Sequence, residues 1–524
     1  MAPALPRAAG EVIRMLSTEL DHRSLWQETA SGVTCPRLER GLHVDVAIVG
    51  AGITGLTAAL LLKRMGHRVA VLEAHTVGGE NSLHTTAHLT EAVDARYATI
   101  EKKFGLTAAQ EVAFSGQAAL ARIRGFVREL NIDCVHRTVP GFLYTEREDG
   151  LRDLHLEYEA AARAGVHVDM VRDVPLPFRC AAAVRFPDQA QIHAARYLEG
   201  LAHAIPGDGC HIFDGALVRE VEEGEPCTLH VASGLDAGAP EQRVTCDRVI
   251  FGTSAPPTRF ALQTKLAHYR SYAIARVDSG DVPLALFWDT DDPYHYTRIA
   301  EIFGKRYLIV GGEDHKTGQK GNAEDCWTRL EEYARVRYGA APVTHRWSGQ
   351  ILEPVDGLPY IGKIPGKERL SIGVGYSGNG MTFGTLAGML LAEPESARSK
   401  DLLQLYAPSR MTPVASAKDF VTENVDFPAH FLGDRLRAPD ARSVEDVERG
   451  EGKIVKLGGE RLAVYRDDGG ALHTFSPVCP HLGCHVAFNN AERSWDCPCH
   501  GSRFDTEGRV LHGPATRGLT AKKI

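Results

Sequence analysis

The sequence predicts an α/β domain with a parallel sheet, an antiparallel sheet inserted in that domain, and a small all-β domain at the C-terminal end. A β-branched run at 44–49 leads through a glycine-rich turn into an apolar helix, which predicts the parallel sheet. Four strand-like runs between 261 and 344 predict the antiparallel sheet. Short strand-like runs divided by turns after residue 450 predict the all-β domain.

Composition sets broad limits on the class of protein. The chain has 524 residues, enough for two or three domains, and 59 basic against 67 acidic side chains give a net charge of −8. This balance argues against a nucleic-acid or membrane partner bound through bulk charge. Seven of the eleven cysteines are scattered, and no apolar run approaches eighteen residues. We therefore expect a cytoplasmic protein without a membrane span.

The first motif is the glycine-rich turn Gly50-Ala-Gly52-Ile-Thr54-Gly55, which lies between the strand at 44–49 and the helix. A second strand at 68–72 ends next to Glu73, just over twenty residues after the first glycine. This arrangement predicts a dinucleotide site, with the glycines close to a pyrophosphate and Glu73 bonded to the adenosine ribose. The motif alone does not distinguish FAD from NAD.

Later motifs favour FAD. A polar loop at 78–87, the segment Asp356-Gly-Leu-Pro-Tyr-Ile-Gly362 and a glycine-rich turn at 373–384 follow in an order that resembles the D-amino acid oxidase/glycine oxidase superfamily. The resemblance covers about 41–395. It implies that the polar loop lies beside the isoalloxazine and that the late turn aims a helix N-terminus at the flavin N1/C2=O edge. The motif and the resemblance together assign to FAD the residues Gly50, Gly52, Thr54, Gly55, Glu73, Thr85, Thr86, Ala87, Val218, Asp356, Gly378, Gly380, Met381 and Thr382.

Residues 373–378 also spell G-x-G-x-x-G, a pattern that is typical of a second, NAD-binding unit as well. The helix that follows, about 382–392, runs into Glu-Pro-Glu-Ser without a second strand to carry an acid. We therefore reject an NAD site at this turn.

Candidate catalytic residues come from the strand-rich insertion. Strand periodicity places Tyr294, Tyr296 and Arg298 on one face, where they could hold a substrate carboxylate and shield the flavin. The alternative is a solvated strand with core tyrosines. His315 and Lys316 lie in a predicted polar turn, 311–318, that lines the pocket or is a simple hairpin.

A second constellation lies near the C-terminus. Cys479-Pro-His481 and Cys497-Pro-Cys499-His500 supply two thiolates and two imidazoles, fifteen residues apart. Such a set suits a [2Fe–2S] cluster with cysteines on one iron and histidines on the other, and it could also hold zinc.

The proline and glycine residues around these ligands resemble those of the Rieske [2Fe–2S] domain, including the cysteine pair of its respiratory-complex branch. The resemblance implies Cys479, His481, Cys497 and His500 as ligands and a Cys484–Cys499 disulfide. Ser502 would donate a hydrogen bond to a bridging sulfide. Phe504 stands where high-potential members carry tyrosine, which predicts an intermediate potential.

These motifs divide the chain into an N-terminal arm, an FAD-dependent oxidoreductase domain, a linker and a Rieske domain. Their predicted ranges are 1–40 for the arm, 41–395 for the oxidoreductase domain (FAD-binding parts about 41–100, 185–260 and 345–395, substrate part about 261–344), 396–433 for the linker and 434–524 for the Rieske domain.

The predicted function is oxidation of a C–N bond in a small-molecule amine or amino acid, with electrons passing from FADH₂ through the cluster to an external acceptor protein. The alternative is a reductase in which a donor protein reduces the cluster and the cluster feeds the flavin. A Rieske oxygenase needs a mononuclear iron in a large domain after the cluster, and 24 residues follow His500. A non-catalytic binding role would leave two redox cofactors without turnover.

Overall fold

The computed structural model describes residues 22–79, 81–236, 238–255, 261–278, 280, 282–410 and 439–523. In these residues the helices are α1 (Leu25–Glu28), α2 (Ile53–Arg64), α3 (Tyr97–Phe104), α4 (Leu106–Glu129), α5 (Leu151–Arg163), α6 (Ala194–Ala204), α7 (Glu324–Tyr338), α8 (Gly380–Ala392) and α9 (Ala397–Leu405). The predicted arm up to residue 21 and most of the predicted linker lie outside the described residues, and the first part of the linker contains α9.

The strands fall into four sheets. They are β1 (Leu42–Val49), β2 (Val69–Leu72), β3 (His88–Leu89), β4 (Arg137–Thr145), β5 (Asp169–Val171), β6 (Ala182–Gln191), β7 (His211–Phe213), β8 (Ala216–Glu222), β9 (Cys227–Ser233), β10 (Glu241–Phe251), β11 (Leu266–Val277), β12 (Leu286–Asp289), β13 (His295–Ile302), β14 (Lys305–Lys316), β15 (Val343–Pro354), β16 (Tyr360–Lys363), β17 (Leu370–Val374), β18 (Gly452–Leu457), β19 (Glu460–Arg466), β20 (Leu472–Phe475), β21 (Ala487–Asn489), β22 (Ser494–Asp496), β23 (Arg503–Phe504) and β24 (Val510–His512).

The first sheet has the order β16-β17-β10-β1-β2-β7, with β9 paired to β10 and β8 to β9. Its centre is parallel, because β1 runs parallel to both β2 and β10. Val46 and Ile48 of β1 pack into one core with α2, whereas Ala47 and Val49 pack into a second core on the other face. Burial on both faces explains why the strand is apolar along its length.

The second sheet has the order β15-β11-β14-β13-β12-β4-β6-β3, with β5 on β6, and it is antiparallel except for the β12–β4 pair. It extends beyond 261–344, because β15 pairs with β11 from Leu266↔Pro354 to Arg276↔Val343. The predicted polar turn at 311–318 is wrong: residues up to Lys316 continue β14, where His315 pairs with Arg270.

The C-terminal domain is built from a three-stranded sheet, β18-β19-β20, and a four-stranded sheet, β21-β22-β23-β24. Both sheets are antiparallel. Trp495 and Phe504 are fully buried in its core. The two segments that carry the cysteine and histidine ligands lie just before β21 and just after β22, so they meet at one end of the four-stranded sheet.

A buried ion network joins the C-terminal domain to the second sheet. Arg270 Nη2 of β11 lies 2.6 Å from Glu492 Oε2, and Arg503 Nη2 lies 2.8 Å from the same oxygen. Arg503 Nε also lies 3.0 Å from Asp496 Oδ1. Burial alone would raise the pKa of Glu492, but the two arginines outweigh it and lower the pKa to about 2. The carboxylate is therefore charged, and it bridges one arginine from each domain.

Replacement of Arg270 by methionine tests this network. We expect Arg270→Met to lower the free energy of unfolding by about 2–4 kcal/mol, because Glu492 stays buried with one cation fewer. Urea denaturation followed by tryptophan fluorescence measures the change. The control is Arg335→Met, which removes an exposed arginine paired with Glu332. Equal denaturation midpoints for the two variants would contradict a role for Arg270 in docking the domains.

Candidate functional site

A large cavity opens at the C-terminal ends of β1 and β2, between the first sheet and the second. Its wall includes the turn before α2, the loop at 81–86, and the turn that begins α8. Ten of the fourteen residues assigned to FAD line it: Gly50, Gly52, Thr54, Glu73, Thr85, Thr86, Val218, Gly378, Gly380 and Met381.

The nucleotide end of the cavity is organised by Glu73. Its Oε2 accepts a hydrogen bond from Ala51 N at 2.7 Å, and its Oε1 accepts one from His75 N at 2.9 Å. Gly52 faces the cavity, and a Cβ at this position would lie 2.9 Å from Ser82 Oγ. The space left by the missing side chain fits the close approach of a pyrophosphate to the backbone.

Four of the residues assigned to FAD do not line the cavity. A Cβ on Gly55 would overlap the Gly50 carbonyl oxygen, so this glycine permits close packing of α2 on β1. Thr382 Oγ1 donates to Thr90 O at 2.9 Å. The carboxylate of Asp356 is buried in an ion pair with Arg410, whose Nη2 lies 2.6 Å from Oδ1, and its assignment to FAD stays a prediction. These residues support the fold around the site.

The fourth, Ala87, is explained by Arg298. Arg298 Nη1 donates to Ala87 O at 2.7 Å and to Thr86 O at 3.0 Å, and its guanidinium lies over the Trp26 ring. Burial lowers the pKa of Arg298 to about 9, so it stays charged at neutral pH. Arg298 therefore holds the loop beside the cavity, and its role as partner of a substrate carboxylate stays a prediction.

The other catalytic candidates separate into two groups. Tyr294 and Tyr296 line the cavity, with ring centroids 5.7 Å apart. His315 and Lys316 are not among the described residues that line the cavity. His315 Nε2 and Tyr272 OH are hydrogen-bonded at 3.0 Å.

Sequence reasoning missed several parts of the cavity wall. Asp94 lies beside α8, where its carboxylate accepts a hydrogen bond from Gly378 N. Ser271 and Gln350 line the cavity from β11 and β15. Residues 510–513, 515 and 516 of the C-terminal domain also line it, and His75 Nε2 lies 3.1 Å from Leu511 O. None of these residues belongs to a local motif, because the tertiary fold alone brings them together.

The cysteine and histidine ligands predicted near the C-terminus meet at one point. Cys484 and Cys499 form the predicted disulfide, with their Cα atoms 6.5 Å apart. The sulfur atoms of Cys484, Cys497 and Cys499 lie within 4.8 Å of one another, but the disulfide leaves Cys497 as the one available thiol of the three. Cys479 hydrogen-bonds Cys497, which lowers the pKa of Cys479.

The two histidines complete this set. The rings of His481 and His500 lie 5.0 Å apart at 89°, and both are buried. Burial, together with His481, lowers the pKa of His500 to about 4, so the imidazole is neutral as a metal ligand requires. A pair of adjacent thiols and a pair of adjacent neutral imidazoles fit a cluster with one iron on each pair.

The end of the C-terminal domain that carries the predicted cysteine and histidine ligands, called the ligand end, lies against β11 and β15. A Cβ on Gly501, the residue after His500, would lie 2.6 Å from both His268 Nδ1 and Gln350 Nε2. His268 is buried, and burial lowers its pKa well below the usual range, with further lowering by His500 and His512. Because Ser271 and Gln350 also line the cavity, strands β11 and β15 form the wall between the cavity and the segment that carries the predicted histidine ligand.

The cavity and the cysteine–histidine set define a redox protein with a flavin site and an iron–sulfur site. The family model described as FAD dependent oxidoreductase matches residues 45–393, and the model described as Rieske [2Fe-2S] domain matches residues 439–522. The chain belongs to the FAD dependent oxidoreductase family and carries a C-terminal Rieske domain. Its cofactors are FAD and a [2Fe–2S] cluster, so the zinc alternative is set aside.

Relatives share this architecture or part of it. The Rieske 2Fe-2S iron-sulfur protein YhfW of Bacillus subtilis is 30% identical over 94% of this chain and 96% of its own length. Gamma-glutamylputrescine oxidoreductase of Escherichia coli is 24% identical over 71% of this chain and 89% of its own. Glycine oxidase from Geobacillus kaustophilus has the same fold, with a TM-score of 0.56, 20% identity, and coverage of 70% of this chain and 99% of its own.

Within the described residues, no helix is both long and apolar enough to cross a membrane. The cytoplasmic location stays a prediction.

Substitution of Gly52 tests the flavin site. Gly52→Val should abolish FAD binding, because the side chain would occupy the space between the backbone and Ser82 where a pyrophosphate must approach. Flavin content after purification, read from the absorbance spectrum, measures this. The control is Gly321→Val, since a Cβ at Gly321 meets nothing within 4 Å. FAD retained by Gly52→Val at the level of the control would show that the pyrophosphate does not approach the backbone at Gly52.

Removal of the disulfide tests how the cluster loops are held. Cys484→Ser should still assemble a cluster but lose it faster to a chelator. The disulfide joins residues 15 positions apart, and a bridge of this length stabilises the folded state by about 3 kcal/mol. Cluster absorbance against time gives the half-life, with Cys35→Ser, a free cysteine, as the control. Alkylation of both Cys484 and Cys499 in native, clustered protein would rule out the bridge.

Proposed function

We propose that the protein oxidises a carbon–nitrogen bond of an amine or amino acid and that the electrons leave through the Rieske cluster to an external acceptor protein. Bound FAD supplies acceptance of a hydride, and the cluster supplies single-electron transfer. The observation that carries this proposal is the wall between the cavity and the ligand end of the Rieske domain. Gln350 belongs to that wall: it lines the cavity, and its Nε2 lies beside Gly501 of the Rieske domain.

Hydrogen bonds hold Gln350 in place within this wall. Gln350 Nε2 donates to Thr317 Oγ1 at 3.0 Å, and Gln350 N donates to Asn81 Oδ1 at 3.0 Å. The buried pair Arg270–Glu492 fixes the Rieske domain on the same strands. A fixed, short separation supports electron transfer within one molecule, because tethering makes transfer independent of protein concentration.

The residues around the cavity suit a site in which negative charge develops. The positive charge of Arg298 lies directly behind the loop at 85–87. The N-terminus of α8 begins at Gly380, and its unpaired N–H groups favour an anion nearby. Both features would stabilise a reduced flavin. Tyr294 and Tyr296 would position the substrate, because hydride transfer depends on alignment.

The names of two similar proteins support the reaction class. Gamma-glutamylputrescine oxidoreductase and glycine oxidase are named for substrates that contain a C–N bond. The fused cluster supports a single-electron outlet, because an oxidase that uses O₂ needs no such centre. The opposite direction, from a donor protein through the cluster to the flavin, predicts that no amine reduces the cluster under anaerobic conditions.

Removal of both histidine ligands separates the two half-reactions. In His481→Ala/His500→Ala, an amine that bleaches the flavin of the parent should still bleach it anaerobically, because the flavin cavity keeps its tyrosines and glycine turn. Turnover with cytochrome c as a one-electron acceptor should fall at least tenfold, since the single-electron outlet is lost. The control is His473→Ala, whose ring pairs with Asp467 within the same domain. Unchanged acceptor turnover in the double variant would show that the cluster is not the outlet.

A further inference from the structure

The charges that face the cavity are unevenly distributed. Among the described residues that line it, Glu73 and Asp94 are carboxylates, and none is a lysine or an arginine. Glu73 lies at the nucleotide end, bonded to the turn before α2. A carboxylate on a bound substrate would therefore find no cationic side chain in this lining, and an unpaired buried carboxylate is costly.

Negative charge is concentrated where the two tyrosines lie. We call Asp94, Asp314, Ser271, Tyr294 and Tyr296 the acidic corner. Asp314 lies outside the lining, yet its charge and that of Asp94 both act on Tyr294 and Tyr296, whose pKa values are raised first by burial and then by these carboxylates. Ser271 Oγ and Tyr296 OH are hydrogen-bonded at 2.8 Å, which links the cavity surface to the residues behind it.

Asp314 is a buried carboxylate with the Ser271 hydroxyl near it. Both of its carboxylate oxygens are buried with no hydrogen-bond partner at full bonding geometry. Burial raises the pKa of Asp314 to about 7, an effect that the nearby Ser271 hydroxyl partly offsets and Asp94 reinforces. A cation bound in the cavity would supply the missing positive charge and favour the ionised form of Asp314.

Aromatic rings complete the same part of the cavity. Trp288 and His88 line it next to Tyr296, and the His88 ring lies edge-on to both, with centroids 5.9 Å apart in each case. Burial, with help from Arg298, lowers the pKa of His88 to about 3, so this imidazole is neutral and does not repel a cation. The faces of tyrosine and tryptophan rings attract ammonium groups.

We propose that the acidic corner binds the positively charged nitrogen of an amine that carries no carboxylate on the carbon being oxidised. This inference rests on the proposed amine oxidation and narrows its substrate class. The ammonium form binds and gives one proton to a carboxylate of the corner. The neutral amine then loses the hydrogen of the adjacent carbon, with two electrons, to the oxidised flavin. The carbon–nitrogen single bond becomes an iminium double bond, which water hydrolyses to a carbonyl compound and ammonium, or to a substituted ammonium when the substrate is a secondary amine.

Matched substrates test the proposal in the intact holoprotein. Butylamine against norvaline, putrescine against ornithine, and benzylamine against phenylglycine differ only by the carboxylate on the reacting carbon. Under anaerobic conditions we expect flavin bleaching at least tenfold faster with at least one amine than with its amino acid. Faster bleaching by the amino acids would overturn the inference and leave C–N oxidation standing. If no member of either series bleaches the flavin, the proposed reaction itself fails.

A binding measurement that needs no turnover tests the corner directly. Benzyltrimethylammonium, which has no nitrogen proton to lose, should perturb the flavin absorbance on binding, whereas benzoate should not. Asp94→Asn and Asp314→Asn should each weaken this binding at least tenfold, and both variants keep the size of the side chain they replace. The control is Asp153→Asn, an exposed carboxylate on α5. Wild-type affinity in both corner variants, or tighter binding of benzoate than of the cation, would overturn the proposal.

Discussion

The buried charge pairing between Arg270 and Glu492 is the interaction on which the arrangement of the two redox sites depends. Charges without water must be paired, so the Rieske domain is held where Arg503 and Arg270 share one carboxylate. Successive side chains of β11 point to opposite faces of the sheet. Arg270 and His268 face the Rieske domain, whereas Ser271 and Ala273 face the cavity. One strand thus contacts both sites.

This docking makes each site depend on the other domain. The segment from Val510 to Thr516 contributes to the cavity wall, and Ser254 Oγ lies 3.4 Å from His512 Nε2. In the other direction, His268 and Gln350 of the oxidoreductase domain cover Gly501, next to the predicted cluster ligand His500. His500 is itself buried, and burial together with His481 lowers its pKa to about 4. Each domain has a known fold, and the interface between the two domains is what places the two redox sites next to each other.

The sequence predicted the features that depend on local spacing. The glycine turn at 50–55 and the Cys484–Cys499 bridge belong to motifs that fix short segments, and the structure brings both into sites. Features set by distant pairing were missed, or lie elsewhere than the sequence suggested. Arg298 was expected in the pocket, but three carbonyl oxygens on other segments hold it. Asp356 was expected at the flavin, but Arg410 neutralises it, and no periodicity in the sequence reveals either partner.

We propose that the flavin and the cluster form one electron path inside a single chain. The most direct measurement mixes oxidised protein with dithionite-free, anaerobic amine in less than one equivalent and follows flavin absorbance and the electron paramagnetic resonance of the reduced cluster with time. We expect the cluster to be reduced after the flavin, in a first-order step whose rate constant is the same at every protein concentration. A cluster that stays oxidised, or a rate that rises in proportion to protein concentration, would contradict it.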